Sequence, residues 1–162
     1  MSDLFVKNLV EFRCLNSASP VQVVETHIFW VLITDSRTVT MKDIERFAEF
    51  SGDKLYAHMD EESAIANPFF DGRVVRGYFI VSAVAELFVQ PNSGAVLANY
   101  GLKNLRFLQP FYPDDSMRVL FTCKQKVNRE TEEYGEVRWD TTVLNKNDEV
   151  VAQYGVITLV AN

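Results

Sequence analysis

A chain of 162 residues that is 48% hydrophobic and 12% aromatic is long enough for one domain with a substantial core, which excludes an intrinsically disordered polymer. The net charge of -6 argues against non-specific nucleic-acid binding, which needs a clustered basic face, although a local basic patch can still hold an anion. Cys14 and Cys123 are far apart and form no CxxC or Cys/His metal pattern, so both read as reduced structural thiols and no metal site is expected.

The first residues start acidic and no sustained apolar stretch follows, so no secretory signal is expected. The longest apolar run, residues 28–33, is far short of the roughly 20 residues that cross a bilayer. A cytoplasmic location with no membrane partner is the resulting expectation. Residues 1–22 read as a leader, with Phe5, Val6, Leu9, Val10 and Phe12 able to pack as a short helix, and residues 23–162 as the domain.

Residues 21–34 are rich in β-branched and aromatic side chains and predict one long strand, broken by a turn at Asp35-Ser36. His27 falls inside that strand and reads as structural. Thr40 followed by Asp43 resembles a capping box, with Asp in place of the usual Glu or Gln. Ile44, Phe47, Ala48 and Phe50 then recur at helical spacing, and Gly52 can stop the helix after Ser51. Residues 53–58 form the loop that follows. A short acidic helix is expected over residues 60–66, ended by Asn67-Pro68, with Asp60-Glu61-Glu62 as a solvated face. Residues 77–89 are almost wholly apolar and predict a helix buried on most sides, closed by Pro91-Asn92-Ser93-Gly94. Four long strands follow at residues 95–107, 117–129, 135–144 and 150–160, the last two joined by a hairpin at Asn145-Lys146-Asn147-Asp148.

Strand, helices and then four antiparallel strands define an α+β class. A single curved antiparallel sheet wrapped around the apolar helix satisfies that order, and the hot-dog fold is its best-known form. The free sheet edge in such a fold is an association site, which points to a homodimer or higher homo-oligomer.

Asp53 and His58 are the chemistry-bearing pair: a carboxylate and an imidazole on one bent loop can reach one water, one accepting its proton while the other orients it. Spacing alone also allows a surface histidine with a helix-end contact. Gly77 heads the apolar helix, where unpaired N–H groups and the dipole would stabilise a thioester oxygen as it becomes an enolate. Simple packing of a glycine against a strand is the other reading. Ser51 and Ser82 lie in no nucleophile-elbow motif, and Gly72 and Gly77 build no phosphate loop.

Ser51-Gly52-Asp53 followed by His58, together with Arg76-Gly77-Tyr78-Phe79 at the helix head, resembles the signature of the MaoC-like, (R)-specific enoyl-CoA hydratase family over about residues 24–160. Residues 55–60 (Leu-Tyr-Ala-His-Met-Asp), Leu87-Phe88-Val89, Asn99-Tyr100-Gly101 and Arg106-Phe107 with Pro110 and Tyr112 are similar to one branch. That branch is the C-terminal hydratase, an oxepin-CoA hydrolase, of bifunctional phenylacetate-degradation proteins. The resemblance implies Asp53 and His58 as a catalytic dyad and the Gly77 N–H as oxyanion donor; Tyr56, Arg76, Tyr78 and Arg106 are expected beside them as substrate-binding residues. It implies an acyl-CoA substrate, coenzyme A being part of the substrate with no separate cofactor. The loop Lys54-Leu55-Tyr56-Ala57 replaces the Asn-Pro of general hydratases and agrees with the phenylacetate branch, whereas Gly52 and Arg76 stand where that branch often has Trp and His. The aldehyde dehydrogenase half of such fusions has no room in these residues, so the chain reads either as a stand-alone hydratase or as a domain cut from a fusion, and a separate dehydrogenase is an expected partner.

Among the basic residues near these motifs, Arg73, Arg76, Lys103 and Arg106, one or two are expected at phosphates, and Tyr56, Phe69, Phe70 or Phe79 at the acyl group. Two other readings remain: a hot-dog thioesterase, for which Glu86 is the acidic residue on the central helix, and a non-catalytic acyl-CoA-binding or dimerisation domain.

Overall fold

The computed structural model describes residues 22–25, 30–88, 96–127 and 133–161. Nearly all of the expected leader, and with it Cys14, lies outside them, as does His27. Gln22, assigned to the leader, opens the first strand.

The expected long first strand is two strands. β1 (Gln22–Glu25) and β2 (Trp30–Ile33) fold back on each other, with Gln22 opposite Ile33 and Glu25 opposite Trp30. The apolar run holds no Gly, Pro or Asn to mark the reversal, and β-propensity alone cannot register one. Pairing satisfies the backbone of both halves, which one overlong strand with a short partner would not.

β3 (Arg37–Thr38) follows the Asp35-Ser36 turn and pairs with Met117 and Ser116. Helix α1 (Met41–Ser51) starts on a full capping box. The Thr40 side chain accepts from the Asp43 N–H at 3.3 Å, and the Asp43 carboxylate accepts from the Thr40 N–H at 2.9 Å. Asp thus serves where Glu is usual. At the other end Gly52 takes φ 73° and donates its N–H to the Ala48 carbonyl, the left-handed cap that a Cβ would strain.

α2 (Tyr56–Met59) is a single turn, so His58 stands on helix rather than in the expected loop: its N–H donates to the Leu55 carbonyl at 3.0 Å, and that of Asp60 to Tyr56 at 2.9 Å. α3 (Glu61–Ile65) is capped by the Asp60 side chain. α4 (Gly77–Phe88) is the apolar helix.

The sheet runs β1-β2-β5-β6-β7-β4, with β5 (Ser116–Val127), β6 (Tyr134–Leu144), β7 (Val150–Ala161) and β4 (Val96–Phe107). Every described pairing is antiparallel and the sheet does not close into a barrel. Met117, Val119, Phe121 and Cys123 alternate inward on β5, in the period-two pattern of a half-buried strand, and Val137, Trp139, Thr141 and Val143 do so on β6. α4 lies on that face. Phe79, Ile80, Ala83, Val84 and Phe88 are buried, and the Phe88 ring sits 4.5 Å from Phe121 and 5.5 Å from Trp139, centroid to centroid. This is the hot-dog fold.

The helix is less enclosed than expected. Tyr78, Ser82, Ala85 and Glu86 form an exposed stripe, because the sheet covers α4 from one side only. Among the described residues, no helix is long and apolar enough to cross a membrane.

Candidate active site

His58 is held by the segment that leads into α4. Its Nδ1 lies 2.7 Å from the Val74 carbonyl oxygen, and the Val74 N–H donates to the Ala57 carbonyl at 2.9 Å. A carbonyl only accepts, so Nδ1 carries the proton, and Nε2 of the neutral ring is left as an acceptor. One backbone bond fixes the turn and the other fixes the tautomer.

Asp53 follows the left-handed Gly52. Its Oδ1 accepts from the Leu55 N–H at 3.2 Å, and its Oδ2 stands 3.3 Å from Arg76 Nε. The carboxylate remains 45% exposed while its arginine partner is 2% exposed. Asp53 and His58 share no hydrogen bond; both are tied to residues 74–76, His58 through the Val74 carbonyl and Asp53 through Arg76.

A cavity of about 400 Å³ opens beside them, lined by His58 and Gly77 and walled by Phe69, Phe70, Phe107 and Phe111. Asp53 stands outside its lining. Gly77 is the first residue of α4, so its N–H has no intrahelical acceptor. The ring of Phe107 rests against its Cα, where a Cβ would come within 2.4 Å of the ring. The glycine thus packs against a strand residue, and it lines the same cavity as His58.

Of the four expected substrate-binding residues, Arg76 does not line the cavity. It is buried and bonded to protein carbonyls, away from any solvent-borne phosphate. Tyr56 lies half exposed with its hydroxyl accepting from Asn67 Nδ2 at 2.9 Å, and it does not line the cavity. Tyr78 projects outward at 73% exposure. Arg106 is exposed on β4, and its side chain bonds the carbonyl of its neighbour Leu105 at 3.0 Å. Arg73 is committed to Glu61 at 3.5 Å and to the Met59 carbonyl at 3.4 Å, so Glu61 is not the purely solvated charge expected. Of the expected aromatics, Phe69 and Phe70 line the cavity, and Phe79 is core. Glu86 pairs with Arg37 at the helix exit, not with the cavity. Sequence reasoning gave no part to Val74, Gln109 or Phe111. Val74 acts through its backbone and leaves no side-chain signal. Among the described residues, no group of three or more His, Cys, Asp or Glu could hold a metal ion.

The hot-dog domain thus sets an imidazole and a helix N-terminus on one largely apolar cavity. Residues 30–145 match the MaoC like domain model, and the chain belongs to that family. It is 46% identical over 112 residues to Protein MaoC of Klebsiella aerogenes, an alignment covering 67% of this chain and 33% of that protein; the chain thus spans about a third of the length of this relative. It is 34% identical over 80 residues to 3-hydroxyacyl-thioester dehydratase Z of Mycobacterium tuberculosis, covering 48% of this chain and 52% of that one. Among solved structures, the (R)-hydratase of Pseudomonas aeruginosa superposes with a TM-score of 0.61 at 25% identity, covering 85% and 83% of the two chains. A double hot-dog protein of Mycobacterium tuberculosis superposes at 0.68 with 15% identity, covering 88% of this chain and 42% of that one, a likeness of fold alone.

Proposed function

We propose that this chain adds water across the α,β double bond of an acyl-coenzyme A thioester. The observation that carries the reading is that His58, with Nδ1 held by Val74 and Nε2 left basic, lines the same cavity as the first amide of α4. Water would attack the β carbon and give its proton to Nε2, with the Asp53 carboxylate orienting the water and the imidazolium then returning the proton. Charge moves onto the thioester oxygen, where the Gly77 N–H and the positive end of α4 receive it. The enolate then collects a proton at the α carbon, so that H and OH of one water end on adjacent carbons. Membership of the MaoC-like family and the dehydratase and hydratase relatives support this chemistry.

The finer reading is a cyclic substrate, an oxepin-CoA. Hydration of its enol ether double bond gives a hemiacetal, which opens to an aldehyde thioester. Support comes from the Leu55-Tyr56-Ala57-His58 motif and from a cavity walled by four phenylalanines, a shape suited to a flat ring. A separate aldehyde dehydrogenase would then consume the product. Pairing of two copies at β4, an end strand of the sheet with exposed Leu97, Tyr100 and Leu102, belongs to the same proposal, as does a cytoplasmic setting. The Glu86–Arg37 pair, away from the cavity, weighs against the thioesterase reading.

The test offers crotonyl-CoA and oxepin-CoA to the purified protein and follows loss of each chromophore, with Asp53→Asn alongside. Consumption of oxepin-CoA far faster than crotonyl-CoA is expected. Consumption of neither, or full rate in the Asn variant, overturns the assignment.

A further inference from the structure

Arg76 is among the largest fully buried side chains of the domain. A guanidinium stripped of water must find its partners in the protein, and this one does so with all three nitrogens. Nε donates to the Asp53 main-chain carbonyl at 3.0 Å, and Nη2 reaches the same oxygen. Nη1 donates to the Ile44 carbonyl at 3.2 Å, and Nη2 also contacts the Met59 sulfur at 3.3 Å. The fork therefore joins α1, the residue after its cap, and the end of α2.

The backbone of the same residue opens α4: the Arg76 carbonyl accepts the Ile80 N–H at 3.2 Å, and Gly77 follows directly. Two residues upstream, Val74 holds the His58 ring. We infer that Arg76 is a positioning residue, and that residues 74–77 act as one strap carrying the imidazole, the carboxylate and the helix amide at fixed separations. The inference rests on the hydratase reading for the purpose of the strap, but not for its existence. Arginine is needed because its planar fork can serve two carbonyls and a carboxylate together, which the single ammonium of lysine cannot. The same burial removes Arg76 from the candidates for a coenzyme A phosphate.

The experiment compares Arg76→Ala, Arg76→Gln and Arg76→Lys with the parent, the Gln and Lys variants standing in where Ala does not fold. With crotonyl-CoA, kcat is expected to fall on the order of 10²-fold with KM within about twofold, as for a reacting group displaced by about 1 Å. Millimolar guanidinium should restore part of the Ala variant's kcat. A rise in KM at unchanged kcat would identify a phosphate ligand instead, and a folded variant with unchanged kcat would equally end the inference. Hydrogen exchange separates this from failure of the hydratase reading. Amides 53–59 should exchange at least roughly tenfold faster in the variant, with β6 and β7 unchanged, even if no thioester is turned over. Unaltered exchange at 53–59, or loss of protection throughout the sheet, overturns the positioning role.

Discussion

The outer edge of the Phe107 ring packs against the bare Cα of Gly77, with Cζ, Cε2 and Cε1 all within 2.8 Å of where a Cβ would stand. A strand residue and a helix start are thereby locked at a distance only glycine permits. Gly77→Ala should force the ring aside and cost about 1–3 kcal/mol, the usual effect of overpacking. Urea denaturation of the variant measures it. Adding Phe107→Leu should recover part of the loss, since the clash is with that ring; no recovery would mean the strain lies elsewhere.

Replacing His58 with Asn removes the basic Nε2 while keeping a donor at the δ position for the Val74 carbonyl. The melting temperature should stay close to the parent's and kcat should fall on the order of 10²–10⁴-fold, the range for loss of a general base. Steady-state kinetics with the better of the two thioesters checks it.

The capping box at α1 predicts a pH-dependent effect. The Thr40 side-chain and backbone hydrogen bonds hold the Asp43 carboxyl below its ordinary value of 3.8. A carboxylate lowered on folding stabilises the native state above its unfolded pKa, and that contribution is lost as pH falls through the folded value. Thr40→Ala should therefore cost about 1 kcal/mol near neutrality. The gap from the parent should narrow as pH drops below 3.8, seen by denaturant melts across that range.

Inside the sheet, the Trp139 indole N–H donates to the Thr158 hydroxyl at 3.1 Å, and that hydroxyl donates on to the Val137 carbonyl at 3.3 Å. Thr158→Val is nearly isosteric but strands the buried N–H. A loss of about 1–3 kcal/mol is expected. Thr158→Ser, which keeps the hydroxyl, should lose less.

Burial raises the Cys123 thiol above its ordinary value, keeping it out of the reactive thiolate form. Alkylation followed by peptide mapping should find Cys123 unmodified in the native protein and modified in urea. Rapid native labelling would contradict the packing of β5.

Much of this architecture is written locally in the chain. Thr40, Asp43 and Gly52 mark both ends of α1 because caps are chemistry between near neighbours. The alternation in β5 and β6 and the apolar run of α4 are equally local. The β1–β2 reversal is not, since its run of β-formers contains no turn residue and only the pairing of Val31 with Thr122 and its neighbours decides where β2 sits. The site divides the same way. Asp53, His58 and Gly77 stand out by residue type and spacing. The depth of Arg76 does not, because an arginine between Val75 and Gly77 looks the same whether it faces solvent or two backbone carbonyls and a methionine sulfur. Phe107 was visible only as part of a motif; that it packs on Gly77 depends on a strand far along the chain.

The strand order also imposes a schedule. β4 is made before β5, β6 and β7, yet its described neighbour in the sheet is β7. Until residues 150–161 emerge, β4 has no sheet to join and the apolar face of α4 no complete cover. The nascent chain carries that apolar helix without its complete cover while β5 and β6 are being made, a condition under which holding chaperones are needed.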